Sequence, residues 1–369
     1  MSNKVRKSPI TGFFRRTWKV LIGLVISGVA LYLFIRMCNF REMLEAFKKT
    51  NYFFVFLTLC TIFMSYLGRG VRWIYLLRPL KRVGLGPTFS GTIIGFTASN
   101  ILPLRAGEFV RAYVLAKNQN LKASATFATI VVERLCDGFC VLAILVLALT
   151  TMPFPESSDV ASLSEPMQKV VTIITREKLQ WFGYSTLLFY LGLITVLVLL
   201  KVAPRKAEWL VSKPLFFLPK RIVSKVIDLL SSFSEGVSSM NSPKQAFNVI
   251  LWSLVVWVSI ALGPWLLSFA FGLDLPPVMG LFVTVVLAFG VMLPSSPGFI
   301  GIFQLSTAAA MVLLGVPEQV STTYALMLWV LSIVPVTILG FIFCWVGKTS
   351  FAQIIKATKQ ERMVVQEES

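Results

Sequence analysis

Two stretches decide how this chain folds. The first is Gly95-Phe-Thr-Ala-Ser-Asn-Ile-Leu-Pro-Leu-Arg-Ala-Gly107 and the second is Val286-Leu-Ala-Phe-Gly-Val-Met-Leu-Pro-Ser-Ser-Pro-Gly298. Laid over one another, they match Leu102-Pro103 to Leu293-Pro294 and Gly107 to Gly298. Each is apolar, yet each is interrupted by Pro and Gly before it reaches the roughly 20 residues a bilayer core demands. Paired interrupted segments at corresponding places in two halves of a chain point to a transporter's substrate site.

The surrounding sequence supplies the membrane. Of 369 residues, 56% are hydrophobic, more than a soluble domain of this size needs. Mean hydropathy is +0.77. Apolar runs bounded by charges predict full spans over 18–37, 52–77, 124–150, 182–202, 246–271 and 322–346. The broken segments, 88–116 and 278–314, fall between them. The run from Trp18 to Met37 is too long for a cleaved signal peptide and reads as a retained span. Residues 221–240 place Ile222, Val226, Leu229, Leu230, Phe233 and Val237 at helical spacing, as an interfacial helix would.

A formal charge of +18 would suggest nucleic acid in a soluble protein. Here it follows the positive-inside rule, and nucleic acid is not an expected partner. With the basic segment 1–17 in the cytoplasm, and each broken segment dipping in and returning on its own side, loops 78–87, 117–123 and 203–244 are cytoplasmic. The polar tail 347–369 is cytoplasmic as well. Segment 151–181, with Glu156, Asp159 and Glu165, lies outside, as do links 272–277 and 315–321, which contain Asp274 and Glu318. Loop 38–51, with Arg41, Lys48 and Lys49, is the one exception.

This orientation makes the chain an all-α polytopic membrane protein, a single integral domain over 18–346. It has six full spans and two re-entrant helical hairpins. The halves, about 52–150 and 246–346, run in opposite senses as an inverted repeat. Eight full spans are the alternative, at the expense of one basic cluster on the outside.

Six ionisable groups lie in or near these membrane segments: Arg105, Glu108 and Arg111, then Glu133, Arg134 and Asp137. Each would cost about 2.5–3.5 kcal/mol at mid-bilayer, so they must pair or face water. Three arginines against three acids make a balanced network. It either pins two helices together or, because a planar guanidinium binds phosphate bidentately, clamps a headgroup. Arg69 and Arg72 read as the cytoplasmic end of their span, with Trp73 and Tyr75 at the interface. The second segment offers Pro294, Ser295, Ser296, Pro297, Gly298 and Gln304, with a half-helix N-terminus near Gly298 suited to anions. Asn100, Pro103 and Gly107 complete the candidate site.

The chain has no His, which excludes His-ligated zinc and Ser-His-Asp catalysis. Cys38, Cys60, Cys136, Cys140 and Cys344 are scattered, and the i,i+4 pair at 136 and 140 reads as packing. No cofactor, metal or catalytic residue is expected. A small-ion or solute carrier and a membrane-embedded transferase on a lipid-linked substrate remain as alternatives.

At Asn100-Ile-Leu-Pro-Leu-Arg-Ala-Gly-Glu-Phe-Val-Arg111, at Glu133-Arg134 with Asp137, and at Leu293-Pro-Ser-Ser-Pro-Gly298 with Gly301, the chain resembles the flippase-like membrane-domain family. This is the membrane portion of lysylphosphatidylglycerol synthetase/flippase proteins. The resemblance covers roughly 18–346. It implies a multi-pass protein of a bacterial or archaeal inner membrane that moves a phospholipid or lipid-linked headgroup between leaflets, alone, as a homo-oligomer or with a membrane-protein partner. Synthetase members carry a soluble aminoacyl-transferring domain; this sequence ends at Ser369, so aminoacyl transfer is not expected.

The orientation is testable by single-cysteine labelling in a cysteine-free background. In intact cells or spheroplasts, Ser157→Cys is expected to react with a membrane-impermeant maleimide and Ser224→Cys only after lysis. The reverse pattern would invert the topology.

Overall fold

The computed structural model describes residues 47–102, 106–151, 163–172, 176–202, 243–292 and 296–347, with isolated positions between 25 and 45. Most of the expected first span, the interfacial helix at 221–240 and both polar termini lie outside the described residues, as do Pro103, Arg105, Pro294 and Ser295.

Every regular element among the described residues is helical. The helices are α1 (Tyr52–Leu77), α2 (Leu85–Ile101), α3 (Gly107–Gln119), α4 (Ala123–Thr151), α5 (Glu165–Val171), α6 (Arg176–Val202), α7 (Pro243–Ala270), α8 (Val278–Met292), α9 (Ile302–Leu313) and α10 (Glu318–Val346). A 3₁₀ turn, Pro297–Phe299, sits between α8 and α9. Three helices, α1, α7 and α10, are long and apolar enough to cross a membrane. Helix α4 has 29 residues but carries Glu133, Arg134 and Asp137 along it.

Both anticipated interruptions are present. Helix α2 ends at Ile101, Leu102 is extended, and α3 restarts at Gly107. Helix α8 stops at Met292, and the chain then passes through left-handed backbone at Gly298 (φ 70°), Phe299 (φ 55°) and Gly301 (φ 86°). Glycine adopts that region without steric penalty, which is why the chain can reverse here. At about 1.5 Å per residue, the 15 residues of α8 and the 12 of α9 reach roughly 22 and 18 Å, short of a 30 Å core.

Helices α1 and α7 run antiparallel along their whole length. Asn51 N–H donates to Ala270 O (2.9 Å), Thr58 Oγ1 lies 3.4 Å from Gly263 O, and Gln245 Nε2 donates to Tyr75 O (2.7 Å). Glycines permit close approach on α1: a Cβ at Gly68 would lie 3.0 Å from Val256, and one at Gly70 3.2 Å from the backbone of Phe89. The hairpins cross over between halves. Helix α2 packs on α3 and on α10; α8 packs on α9 and on α4. Thr97 Oγ1 donates to Val336 O (3.0 Å), the residue after Pro335 inside α10.

The two hairpins meet. The 3₁₀ turn packs on α2, with Asn100 O beside Gly298. Both are tied to α10, where Asn100 Nδ2 donates to Thr337 Oγ1 (3.0 Å) and Trp329 Nε1 to Gly298 O (2.8 Å). The large apolar core lies on the α8, α9 and α10 side, and Met167 and Val171 of α5 close it. Ser164, just before α5, is held through its N–H (3.0 Å) and hydroxyl (2.5 Å) by the carboxylate of Glu318.

The first hairpin depends on Gly107, where an added Cβ would collide with Gly95 O and with Ser99. Gly107→Ala is expected to destabilise by about 1–3 kcal/mol, as overpacking does. Gly192→Ala, with open space around it, should be neutral or mildly stabilising. Thermal unfolding of the two purified variants checks this.

Candidate functional site

The charged residues converge from α1, α3 and α4 onto one buried point. Helical spacing puts Arg69 and Arg72 on one face of α1, and Glu133 and Asp137 on one face of α4. Glu133 is fully buried, and its Oε1 lies 2.8 Å from Arg111 Nη1, 3.0 Å from Arg134 Nη2, 3.1 Å from Arg72 Nη2 and 3.8 Å from Arg69 Nη1. One carboxylate oxygen is thus shared by four guanidinium groups. Asp137 takes a second set of contacts: Arg72 Nη1 at 2.8 Å, Trp257 Nε1 at 3.0 Å, Arg134 Nη2 at 3.3 Å and Arg69 Nη1 at 3.4 Å. Arg72 Nη1 also donates to Ser253 Oγ of α7 (3.0 Å).

Aromatic rings wall this cluster. Trp73 is fully buried with its ring 3.9 Å from Arg111 Cζ, and its Nε1 donates to Thr129 Oγ1 (2.9 Å). The ring of Phe96 lies 5.1 Å from Arg69 Cζ. Guanidinium planes stack on aromatic faces and remain charged when desolvated, which suits them to such a site. The side chains of Arg134 and Glu108 are each 38% exposed and 3.5 Å apart, so this pair forms the open side of the cluster.

The structure brings together Arg111, Glu133, Arg134 and Asp137, with Glu108 at the rim. It corrects two expectations. Arg69 and Arg72 do not mark the end of a span; they lie inside the cluster, and Trp73 is core rather than interface. The balance of three against three also changes, because among the described residues four arginines face three acids. Tyr75 is only partly buried and stacks on Arg78 (4.6 Å).

The remaining candidates are elsewhere. Asn100 is the α2 anchor to Thr337, and Gly107 is the close contact between α2 and α3. Ser296, Pro297 and Gly298 form the turn against Asn100. Helix α9 starts at Ile302 rather than at Gly298, and the buried Gln304 Oε1 accepts from Gly301 N–H (2.8 Å), capping the helix locally. Among the described residues, no group of three or more Cys, Asp or Glu is arranged to hold a metal ion.

Residues 20–340 match the family described as the lysylphosphatidylglycerol synthase TM region. The chain belongs to this family. It is a multi-pass membrane protein. Among curated relatives it is similar to glycosyltransferase AglD of Haloferax volcanii, 23% identical over 298 residues, which cover 78% of this chain and 47% of that protein. It is also similar to two UPF0104 membrane proteins of Methanothermobacter thermautotrophicus. One is 25% identical over 77% of this chain and 82% of the relative; the other is 24% identical over 76% and 80%. The chain therefore spans about half the length of AglD and about four fifths of the other two. No solved structure matches.

The burial pattern separates the arginines by consequence. Replacing Arg72 strips Asp137 and Glu133 of a partner in a site with no water to substitute, so Arg72→Leu is expected to cost about 3–5 kcal/mol. Arg134→Leu, at the open rim, should cost well under half as much. Denaturant unfolding in detergent, alongside yields of folded protein, checks the ranking.

Proposed function

We propose that this protein carries a phospholipid or a lipid-linked headgroup between leaflets of the cytoplasmic membrane. The observation that carries the reading is the placement of a buried, partly open arginine cluster beside two interrupted hairpins that meet inside an apolar bundle. Backbone breaks at membrane depth are tolerated only inside protein or beside a polar cavity. Buried ionisable groups at such a depth mark pathways rather than ordinary packing. The headgroup crosses through this polar region while the acyl chains stay in lipid.

The packing scheme supports an inverted repeat. Exchanging α1–α4 for α7–α10 maps each principal contact onto another: α2 with α10 becomes α8 with α4, and α1 with α7 maps onto itself. The antiparallel α1–α7 pair gives the two halves opposite senses, and the short helices α2, α3, α8 and α9 act as re-entrant hairpins with both termini of the chain cytoplasmic. That is the layout of alternating-access carriers.

The protein acts as a carrier rather than an enzyme in this reading. The AglD relative is named a glycosyltransferase, but the shared region is under half of it, and the buried carboxylates here are each tied to several arginines instead of being poised to take a proton or a metal. Expected partners are anionic membrane lipids and a second copy or another membrane protein.

The test is headgroup translocation in proteoliposomes across a panel of chemically accessible lipids. Selective movement is expected for the wild type, with rates falling at least about tenfold in Arg111→Ala and in Glu108→Gln. Leu188→Ala, on the 72% exposed face of α6, should retain the wild-type rate. Equal rates in all three variants would sink the assignment of the site.

A further inference from the structure

The cluster is not closed on itself. Four arginines face three acids, which leaves one positive charge in excess among the described residues. Several donors of these arginines have no hydrogen-bond acceptor. Arg72 uses Nη1 on Asp137 and Ser253, and Arg111 uses Nη1 on Glu133. Nε and Nη2 of both residues are buried with no hydrogen-bond acceptor, although Arg72 Nη2 stands 3.1 Å from Glu133 Oε1. Nε and Nη2 together form the side-on edge of a guanidinium, the edge that takes two oxygens of a phosphate or carboxylate in parallel. Two such edges lie within one cluster, because both residues reach the same oxygen of Glu133.

Among the described residues no carboxylate fills them completely: only Arg72 Nη2 is approached, by Glu133 Oε1. Glu133 Oε2 is itself buried without a donor, while Oε1 holds all the contacts. Within the cluster the unmet atoms are therefore the two donor edges, Arg134 Nε at the rim and one acceptor. A tetrahedral anion with a neighbouring hydroxyl or ammonium donor satisfies both kinds. One excess charge is neutralised by a monoanion, and a phosphodiester carries one negative charge where a phosphomonoester carries nearly two.

We propose that the side-on edges of Arg72 and Arg111 are the seat of one lipid phosphodiester, which enters past the Arg134–Glu108 pair and lies against Trp73. The lipid source of the phosphate rests on the transport reading above; the anion chemistry does not. Glu108 competes with the ligand for Arg134, so it belongs to the entrance rather than to the seat. In the arrangement described here the seat is shut, and the ligand must part the rim to reach it.

The experiment is ligand-dependent thermal stabilisation of the purified full-length protein in a neutral detergent. The probes are short-chain phosphatidylglycerol, short-chain phosphatidic acid, inorganic phosphate and the corresponding diacylglycerol. Saturable stabilisation by the phosphatidylglycerol alone is expected, with the other probes at least about tenfold weaker. Arg111→Lys keeps the charge and loses the edge, so its affinity should fall about tenfold or more. Glu108→Gln should bind more tightly than wild type, since it frees Arg134; this variant keeps the proposal testable if Arg111→Lys does not fold.

Phosphatidic acid binding as tightly as the diester would overturn the charge assignment, and inorganic phosphate binding as tightly would overturn a lipid source. Undiminished binding in Arg111→Lys, or weaker binding in Glu108→Gln, would remove the seat from these residues. The two readings fail separately. Binding lost in Arg111→Lys without translocation of any lipid in proteoliposomes would defeat transport and leave the anion seat standing. Translocation with binding indifferent to Arg111 would do the opposite.

Discussion

The convergence of four guanidinium groups on one oxygen of Glu133 is the constraint around which this bundle is organised. An ionised carboxylate taken out of water loses solvation worth several kcal/mol even after the protein relaxes, and a guanidinium loses a comparable amount. Neither survives in an apolar bundle unless the other is brought to it. The positions of α1, α3 and α4 follow from that requirement, since each contributes charges that the others must meet. Helix α7 joins through Ser253 and Trp257, which satisfy the outward sides of Arg72 and Asp137. The long antiparallel contact between α1 and α7 serves both the packing of the bundle and the solvation of its charges.

The two halves share a packing scheme and differ in chemistry. Around α3 and α4 the interior is ionic, walled by Trp73, Phe96 and Trp257. Around α8, α9 and α10 it is a dry core of Val, Leu, Met and Ala side chains. The neutral hairpin contributes shape instead of charge: Gly298, Phe299 and Gly301 turn the chain in left-handed backbone, and Gln304 caps the restart. Helix α10 binds the two hairpins to each other, holding Asn100 and Gly298 at points eight residues apart, Thr337 and Trp329. A movement of either tip must be transmitted to this helix, which carries Pro335 between those anchors and so lacks one backbone hydrogen bond where bending would occur.

Much of this was legible in the residues. Among the described residues, the long helices lie where apolar runs bounded by charges place them, to within about six positions at their ends, because run length is a direct consequence of bilayer thickness. The Pro and Gly interruptions announced both breaks. Glu133 and Asp137 were recognisable because charges four apart within a long apolar run have one face in common. Arg69 and Arg72 were misread for the complementary reason, as charges close to a span's end are ordinarily its border. The signal against that reading was available: after Arg72 the helix continues through Trp73, Ile74, Leu76 and Leu77, more than a further turn of apolar residues. A border arginine would not be followed by a buried tryptophan. What no spacing rule could supply was the cross-helix choice of partner. Glu108 and Arg111 share a helix face, yet they engage Arg134 and Glu133 on α4, because the packing of α3 against α4 decides which groups meet.

The cluster is a poor staple, and that is the strongest physical argument about its purpose. Apolar side chains of similar volume would join α1, α3 and α4 without desolvating any charge, and buried ion pairs are often no more stabilising than such replacements. A purely structural network would be expected to satisfy its own atoms, since each buried donor left without an acceptor costs about 1–3 kcal/mol. Here the side-on edges of Arg72 and Arg111 lack hydrogen-bond acceptors, Arg72 Nη2 being only ion-paired to Glu133 Oε1, Glu133 leaves one oxygen unmet, and the exposed side of the cluster is the Arg134–Glu108 pair. Of the unmet buried groups among the described residues, all but the hydroxyls of Thr284 and Thr307 lie in this cluster. They are concentrated beside the interrupted hairpin, where a charged headgroup crossing the membrane would find the partners that water no longer provides.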